Sequence, residues 1–535
     1  MKIPLTPIRF LRYAREQFPN KVGVVCGNER LTYREFAERS SRLAGALLAL
    51  GAKPGDRIAF LSTNCHRLLE AYYGVLEAGC VLLPLNIRLS PEELVFVLND
   101  AQARFLFVES MFMAEPLRAA VPSLEASFLL DGPLQVNRSE PQNYEELLSA
   151  SAPFESDFTQ VDEDSVAELF YTSGSSDRPK GVMLTHRNVY LHALSVIAAG
   201  QTSPASLGEM SCTSVLLHTI PLFHANGWGT AHTLTLVGGT HVMIHHFNPP
   251  EVFSLMERER VSTCAMVPTM VMALVSSPAR PKYDLSSLRT IIIGGAASSP
   301  SLVKQAEEKL GCTCISGYGL TETCPTLAKS PMKSTIAGEG EDRYARQAMT
   351  GYAIPSVELR VLGPDGQEVP HDGSAFGEIV VRGDMVMDGY WRQPEATKAA
   401  MEDGWFHTGD MATMDSHHYL QIVDRKKEII VSGGENISSL EVEKVLFAHP
   451  AVLEAAVIAV PDRKWGEVPK ALVVRRPGEE VAEEALLEFC RARLSHYKCP
   501  RSVEFLESLP KTGTGKVLKR ELRRQYRAAP KTVAT

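Results

Sequence analysis

Apolar positions in the first 300 residues follow two alternating periods. Phe36, Leu43, Leu47 and Leu50 recur at helical spacing, and Gly51 follows as a stop signal. Arg57 to Leu61 reads as a short strand, His66 to Ala78 as a helix, and Cys80 to Pro84 as the next strand. Further apolar runs bounded by loops lie at 104–108, 215–217, 241–244, 264–267 and 289–294. Strand, helix and strand in series predict an α/β architecture of layered, mostly parallel sheets with helices.

The pattern changes after Gly351. Val357 to Val361 and Glu378 to Arg382 are short β-like runs around the turn Gly363-Pro-Asp-Gly366, which predicts a small β-barrel subdomain or antiparallel sheet. From Asp424 strands and helices mix again: 428–431, a helix over 439–447, and a strand over 455–460. We expect two domains, a large N-terminal one over 1–424 and a small α+β one over 425–535. Segments 130–165 and 329–348 are polar and read as surface loops.

Composition narrows the class. The 535 residues allow two to four domains at roughly 150 residues each. Hydrophobic residues are 44% and charged residues 22%, as in ordinary globular proteins. A net charge of −8 argues against a nucleic-acid binder held by bulk positive charge. No apolar run reaches the roughly 20 residues of a membrane span. Arg9, Arg12, Arg15 and Glu16 break up the start, so it is no secretory signal, and the end carries no peroxisomal or ER address. The ten cysteines are scattered with no C-x-x-C pair, which suits a reducing cytoplasm. His245-His246 lacks nearby ligands at zinc spacing and reads as a polar loop or strand end.

The strongest local signal is the strand-like Leu169-Phe-Tyr171 feeding Thr172-Ser-Gly-Ser-Ser-Asp-Arg-Pro-Lys180-Gly181. Small residues expose backbone N–H groups, and hydroxyls with one Lys can surround phosphate oxygens. A helix is expected to follow, its N-terminus adding a favourable dipole. The common NTPase loop G-x-x-x-x-G-K-[ST] fails here: Pro179 stands where its second Gly belongs, and Gly181 follows Lys180.

The loop resembles the signature of the adenylate-forming superfamily, which includes acyl-CoA synthetases, peptide-synthetase adenylation domains and firefly-type luciferases. Four more segments match in order: Gly317-Tyr-Gly-Leu-Thr-Glu-Thr323, Trp405-Phe-His-Thr-Gly-Asp410, Asp424-Arg-Lys-Lys-Glu-Ile-Ile-Val-Ser-Gly-Gly-Glu-Asn-Ile437, and Pro510-Lys-Thr-Gly-Thr-Gly-Lys516. The departure is Ser175-Ser176-Asp177, where the family usually has Thr or Ser followed by Gly; Asp177 sets an anion near a triphosphate.

The resemblance implies a two-step ligase. A carboxylate attacks the α-phosphorus of ATP to give acyl-adenylate and pyrophosphate, and the thiol of CoA then displaces AMP. It implies Mg²⁺ on Glu322, and ATP contacts from Thr172, Ser173, Gly174, Ser175, Ser176, Lys180, Thr321 and Ile422. Tyr318, between Gly317 and Gly319, would stack on adenine, with Gly295, Ala296 and Ala297 close by. Asp410 and Arg425 would hold the ribose, a task suited to the two acceptor oxygens of a carboxylate. Lys427 would be the hinge of a mobile C-terminal domain, and Lys516 would reach the carboxylate and α-phosphate during adenylation. Gly433, Gly434 and Glu435 would border the pantetheine arm of CoA, and Lys498 its phosphates. Family members are often homodimers.

Ordinary alternatives stand beside these roles. Tyr318 can be a core aromatic, Glu322 a helix N-terminal carboxylate, Asp410 a turn residue, and Lys516 a surface Lys beside Lys511, Lys519, Arg520, Arg523 and Arg524.

Between the phosphate loop and the adenine motif lies Pro221-Leu-Phe-His-Ala-Asn-Gly-Trp228. By resemblance His224, Asn226, Gly227, Trp228, Gly294, Gly295 and Gly319 line the acid site, and His224 guards the thiol path. Amino-acid-activating relatives place an Asp here, yet no acidic residue occurs from Pro221 to Gly239. The expected substrate is therefore a carboxylic acid without an α-amine. Phe223, Trp228 and Leu234 suggest an apolar tail, such as a short- or medium-chain fatty acid or a small aryl or alicyclic acid. Trp228 can equally be core. Two rivals are a ligase that loads a separate carrier protein and a non-enzymatic nucleotide sensor.

Overall fold

The computed structural model describes residues 2–112, 114–131, 142–172, 178–202, 210–336, 341–433, 435–511 and 517–527. The chain forms two compact units, one of Met1–Leu359 with Val381–Phe406, the other of Arg360–Val380 with His407–Thr535. The boundary expected at 424/425 falls inside the second unit.

The first unit carries two large sheets. In the nine-stranded one, Val22–Cys26, Thr240–Met243, Val215–His218, Thr263–Met266, Thr290–Ile293 and Thr313–Gly319 run parallel, with antiparallel strands at both ends. In the eight-stranded one, Val166–Thr172, Val81–Pro84, Arg57–Leu61, Ala103–Val108 and Ala126–Leu129 run parallel. These are the layered α/β sheets that the sequence predicts. Cys264, Met266, Ile291, Ile293 and Cys314 share one sheet face and pack with Val252, Phe253, Leu302 and Val303 into a dry core.

Local chemistry sets the element ends. Thr32 and Glu35 form a capping box before the helix Tyr33–Ala49, and Gly51 stops it with φ +83°. The strand Arg57–Leu61 and the helix Ser439–Phe447 occupy the predicted positions. Two predicted loops contain helices. Tyr144–Ala150 is capped by Asn143 and held by the buried Tyr144 and Leu148, and Glu341–Gln347 lies within 329–348. In the first, polar composition masks two buried positions one turn apart.

The strand Trp405–Met414, which lies in the second unit from His407 onward, pairs antiparallel with Leu420–Arg425, with Asp410 opposite Arg425. Thr408 Oγ1 donates to the carbonyl of Ile379 at 2.8 Å. The remaining part is α+β, as expected. The hairpin Val452–Asp462 with Gly466–Arg475 extends by Ser502–Phe505 and by Ile430–Ser432 with Glu435–Ile437. Helices Ser439–Phe447 and Glu483–Arg491 supply the apolar cover.

Among the described residues no helix is long and apolar enough to cross a membrane, and no cluster of three or more His, Cys, Asp or Glu is arranged to hold a metal ion. His245 instead meets Thr63, Nδ1 to Oγ1, at 2.9 Å.

Candidate active site

In the first unit the signature loop joins two antiparallel strands, Val166–Thr172 and Lys180–Thr185, with Thr172 opposite Lys180. Ser173, Gly174, Ser175, Ser176 and Asp177 lie outside the described residues. The expectation of a helix directly after the loop is corrected: a strand follows, and the helix begins only at His186. Val182 and Leu184 are both fully buried two residues apart, which is strand periodicity, and Thr185 with Asn188 then caps the helix. The dipole of that helix therefore does not serve the loop. Thr172 Oγ1 is buried and has no hydrogen-bond partner among the described residues.

Lys180 points its ammonium over the ring of Tyr390, 4.8 Å from the centroid. The Tyr390 hydroxyl donates to Oε1 of Glu322 at 3.0 Å. Tyr390 is held in place by backbone. Gly389 and Tyr390 pair with Met183 and Val182, and the Trp391 N–H donates to the Gly181 carbonyl at 2.7 Å. Burial, then the Glu322 carboxylate, pushes the Tyr390 phenol above its usual range, so it stays a donor. Lys180, Tyr390 and Glu322 thus line up as cation, phenol and carboxylate. Sequence reasoning missed Tyr390; the signal was the aromatic pair after Gly389.

Glu322 sits in the 3₁₀ turn Thr321–Thr323 after the strand Thr313–Gly319. The turn is tied down by Thr323 Oγ1, which donates to the Pro325 carbonyl at 2.7 Å, and by Met387 N–H, which donates to the Glu322 carbonyl at 2.8 Å. Gly319 is required here, because a Cβ would lie 1.8 Å from the Pro325 carbonyl oxygen. Gly317, Tyr318, Gly319 and Thr321 are all partly buried. The neighbouring strand Thr290–Ile293 pairs in register, Ile293 opposite Ser316. Gly294, Gly295, Ala296 and Ala297 therefore emerge beside Gly317 and Tyr318, with Gly295 at φ +80°.

On the expected acid wall, His224 stands at the N-cap of the helix Ala225–Val237. Gly227 admits no side chain, since a Cβ would lie 2.2 Å from the Pro221 carbonyl oxygen. Trp228 is fully buried and stacks on Phe170 with centroids 4.7 Å apart. Its Nε1 has no partner among the described residues. The Asn226 side chain lies outside the described residues. Leu234 packs with Met210 and Leu216 in a separate core cluster, so it does not line the acid wall as expected.

In the second unit, Asp410 is buried and Arg425 Nε pairs with its Oδ1 at 2.5 Å. Ile422 lies opposite Ala412 on the same ladder. Glu378 braces this hairpin, accepting from Gly409 N–H, His407 Nδ1 and Lys426 Nζ. Burial pushes its carboxyl up, but the bonds from Lys426 and His407 outweigh that and hold it below the usual range.

Lys427 is exposed in the 3₁₀ turn Lys426–Glu428, and partial desolvation lowers its ammonium. Arg523 donates to the Lys427 carbonyl and pairs with Glu428. Gly433, at φ +61°, donates its N–H to the Trp465 carbonyl at 2.8 Å, and a Cβ there would meet the indole at 2.6 Å. Glu435 pairs with Ser432 across the hairpin. The Lys498 ammonium is engaged by both oxygens of Glu441 at 2.8 Å. Gly434 and Lys516 lie outside the described residues.

The chain matches the family model described as AMP-binding enzyme over residues 11–391, and that described as AMP-binding enzyme C-terminal domain over 441–516. It is 35% identical over 531 residues to 4-hydroxybutyrate–CoA ligase 2 of Metallosphaera sedula, covering 98% of this chain and 95% of the relative. It is 39% identical over 530 residues to a feruloyl-CoA synthase of an Amycolatopsis species, covering 97% and 98%. The solved structure of ATP-bound MatB from Rhodopseudomonas palustris matches with a TM-score of 0.85 at 28% identity, over 97% of this chain and 99% of that one.

Proposed function

Because the chain belongs to the AMP-binding enzyme family, we propose a division of labour among its residues for the reaction that family performs. The protein is an AMP-forming acyl-CoA synthetase, an acid–thiol ligase whose substrates are a carboxylic acid, ATP and CoA. The acid carboxylate attacks the α-phosphorus of ATP, the bond to pyrophosphate breaks, and the CoA thiol then displaces AMP from the acyl group.

Both reacting partners of the first step are anions, so the site must place positive charge and donors where they meet. Lys180 and the Thr172 hydroxyl serve the phosphates. Tyr390 orients Glu322, and a single carboxylate with hydroxyl neighbours is the hard-oxygen donor set that suits Mg²⁺, an ion that keeps waters and substrate phosphates. Mg²⁺, when bound, screens charge on the phosphate oxygens. Asp410 and Arg425 hold the ribose hydroxyls. Lys516 supplies the cation for adenylation, while Gly433 and Gly434 border the CoA arm. The ten free thiols agree with a cytoplasmic setting.

The acid has no α-amine and lies with its body along Phe223 and Trp228. The observation that carries this assignment is the alignment of Lys180, Tyr390 and Glu322 beside the signature hairpin. ATP–pyrophosphate exchange with a panel of acids, followed by CoA-dependent AMP release, tests it. Exchange without any CoA dependence of AMP release would favour the carrier-loading rival.

A further inference from the structure

Lys329 ends the strand Thr326–Lys329, which pairs antiparallel with Thr313–Gly319 and places Lys329 opposite Gly317. Opposed residues in a ladder share a face, and Gly317 contributes no side chain there. The lysine is 5% exposed, and its Nζ has no partner among the described residues. A buried ammonium without a counter-charge is costly, and native structures rarely leave one unless something else completes it.

The surroundings narrow what that is. Residues of the helices His186–Gln201 and Ala225–Val237 reach the start of this strand. His192 Nε2 accepts the Thr326 N–H at 3.3 Å, so its proton sits on Nδ1. Gly229 lets Pro325 and His192 approach within 3.0 Å of where a Cβ would stand. The His192 ring lies 6.4 Å from Trp228, whose Nε1 is the second buried donor here without a partner. Burial, then the Lys329 charge, pushes the His192 imidazole down to about 3, so it brings no competing cation. Two buried donors, one of them charged and neither with a partner among the described residues, therefore both stand near His192. Gly317, opposite Lys329, and Gly319 belong to the paired strand.

We propose that Lys329, assisted by Trp228 Nε1, binds an oxygen-bearing group at the far end of the acid, best a second carboxylate. The substrate class is thus an acid with a polar terminus, a dicarboxylate before an ω-hydroxy acid, with an apolar middle. The proposal rests on the reading of the acid site above and narrows it, since the apolar tail expected from Phe223 and Trp228 becomes only the central part of the molecule.

The test is pyrophosphate exchange with matched acids of four to eight carbons, each offered as the plain fatty acid, the ω-hydroxy acid and the dicarboxylate. Wild type is expected to favour a polar-ended acid over its plain counterpart by roughly tenfold or more in kcat/KM. Lys329→Met should reverse that order, and Trp228→Phe, which keeps the ring and removes the donor, should weaken it by a few fold. Equal use of all three forms by wild type would overturn the proposal even if the lysine variant failed to fold. So would an unchanged preference in a folded Lys329→Met. Exchange with no acid at all would overturn the ligase assignment together with it.

Discussion

The Tyr390 hydroxyl donates to Oε1 of Glu322 at 3.0 Å, although 68 residues separate the two in the chain. A bond to an ionised carboxylate is worth about 1.5–3 kcal/mol, roughly 10–100-fold in a rate or binding constant. Tyr390→Phe keeps the ring under Lys180 and removes only this bond. Pyrophosphate exchange should fall about tenfold, and half-saturation should need more Mg²⁺, while the melting temperature stays near wild type. An unchanged Mg²⁺ titration would show that Tyr390 does not position Glu322.

Asp410 offers two acceptor oxygens from a buried position, and Arg425 occupies one of them. Asp410→Asn turns half of that acceptor set into a donor. The KM for ATP should rise at least about tenfold, with a smaller change in kcat at saturating ATP. Wild type should also discriminate against 2′-deoxy-ATP, and the variant should lose that discrimination. A KM that did not move would leave Asp410 as a brace of its own hairpin.

The strands and most helices were legible because each obeys one period. Val182 and Leu184 show why the helix expected after the loop was not found there: the six-residue strand Lys180–Thr185 is too short to stand out beside the loop composition. Glu322, Lys180 and Asp410 were singled out through motif resemblance alone, since the residues that hold them, Tyr390 and Met387 for the first two and Arg425 for the third, lie elsewhere along the chain. Tyr390 and Lys329 were not, because their roles come from strand pairing. Tyr390 is set by Val182, and Lys329 by Gly317. Leu234 misled for the converse reason: one helix turns Trp228 and Leu234 into different clusters.

Lys516 is the cation assigned to adenylation alone. Lys516→Ala should lower pyrophosphate exchange by at least about a hundredfold, in the range of a lost electrostatic donor. Thioester formation from a supplied acyl-adenylate should proceed near the wild-type rate. Rapid-quench measurement of each half-reaction separates them, and equal loss of both would contradict the assignment.

Lys329 also predicts how stability depends on pH. Burial pushes its ammonium from 10.5 down to about 8, so the unfolded chain binds the proton more tightly than the folded one. Stability therefore rises with pH between about 8 and 10.5, and the full penalty of the charged form is present below 8. At ~1.4 kcal/mol per tenfold change, that penalty is on the order of 3 kcal/mol. The titratable groups facing it are His192, held at about 3, and Tyr352 on the paired strand, held above its usual range by burial. The His192 imidazole is neutral throughout this window, and burial keeps the Tyr352 phenol neutral to higher pH than in the unfolded chain, so it offsets part of the rise only near the alkaline end. Lys329→Met should accordingly resist urea better than wild type at pH 7, and the advantage should shrink at pH 10. A bound dicarboxylate should narrow the pH 7 gap from the other side, by stabilising wild type and not the variant. A variant less stable than wild type at pH 7 without ligand would mean that the ammonium already has a counter-charge in the folded protein.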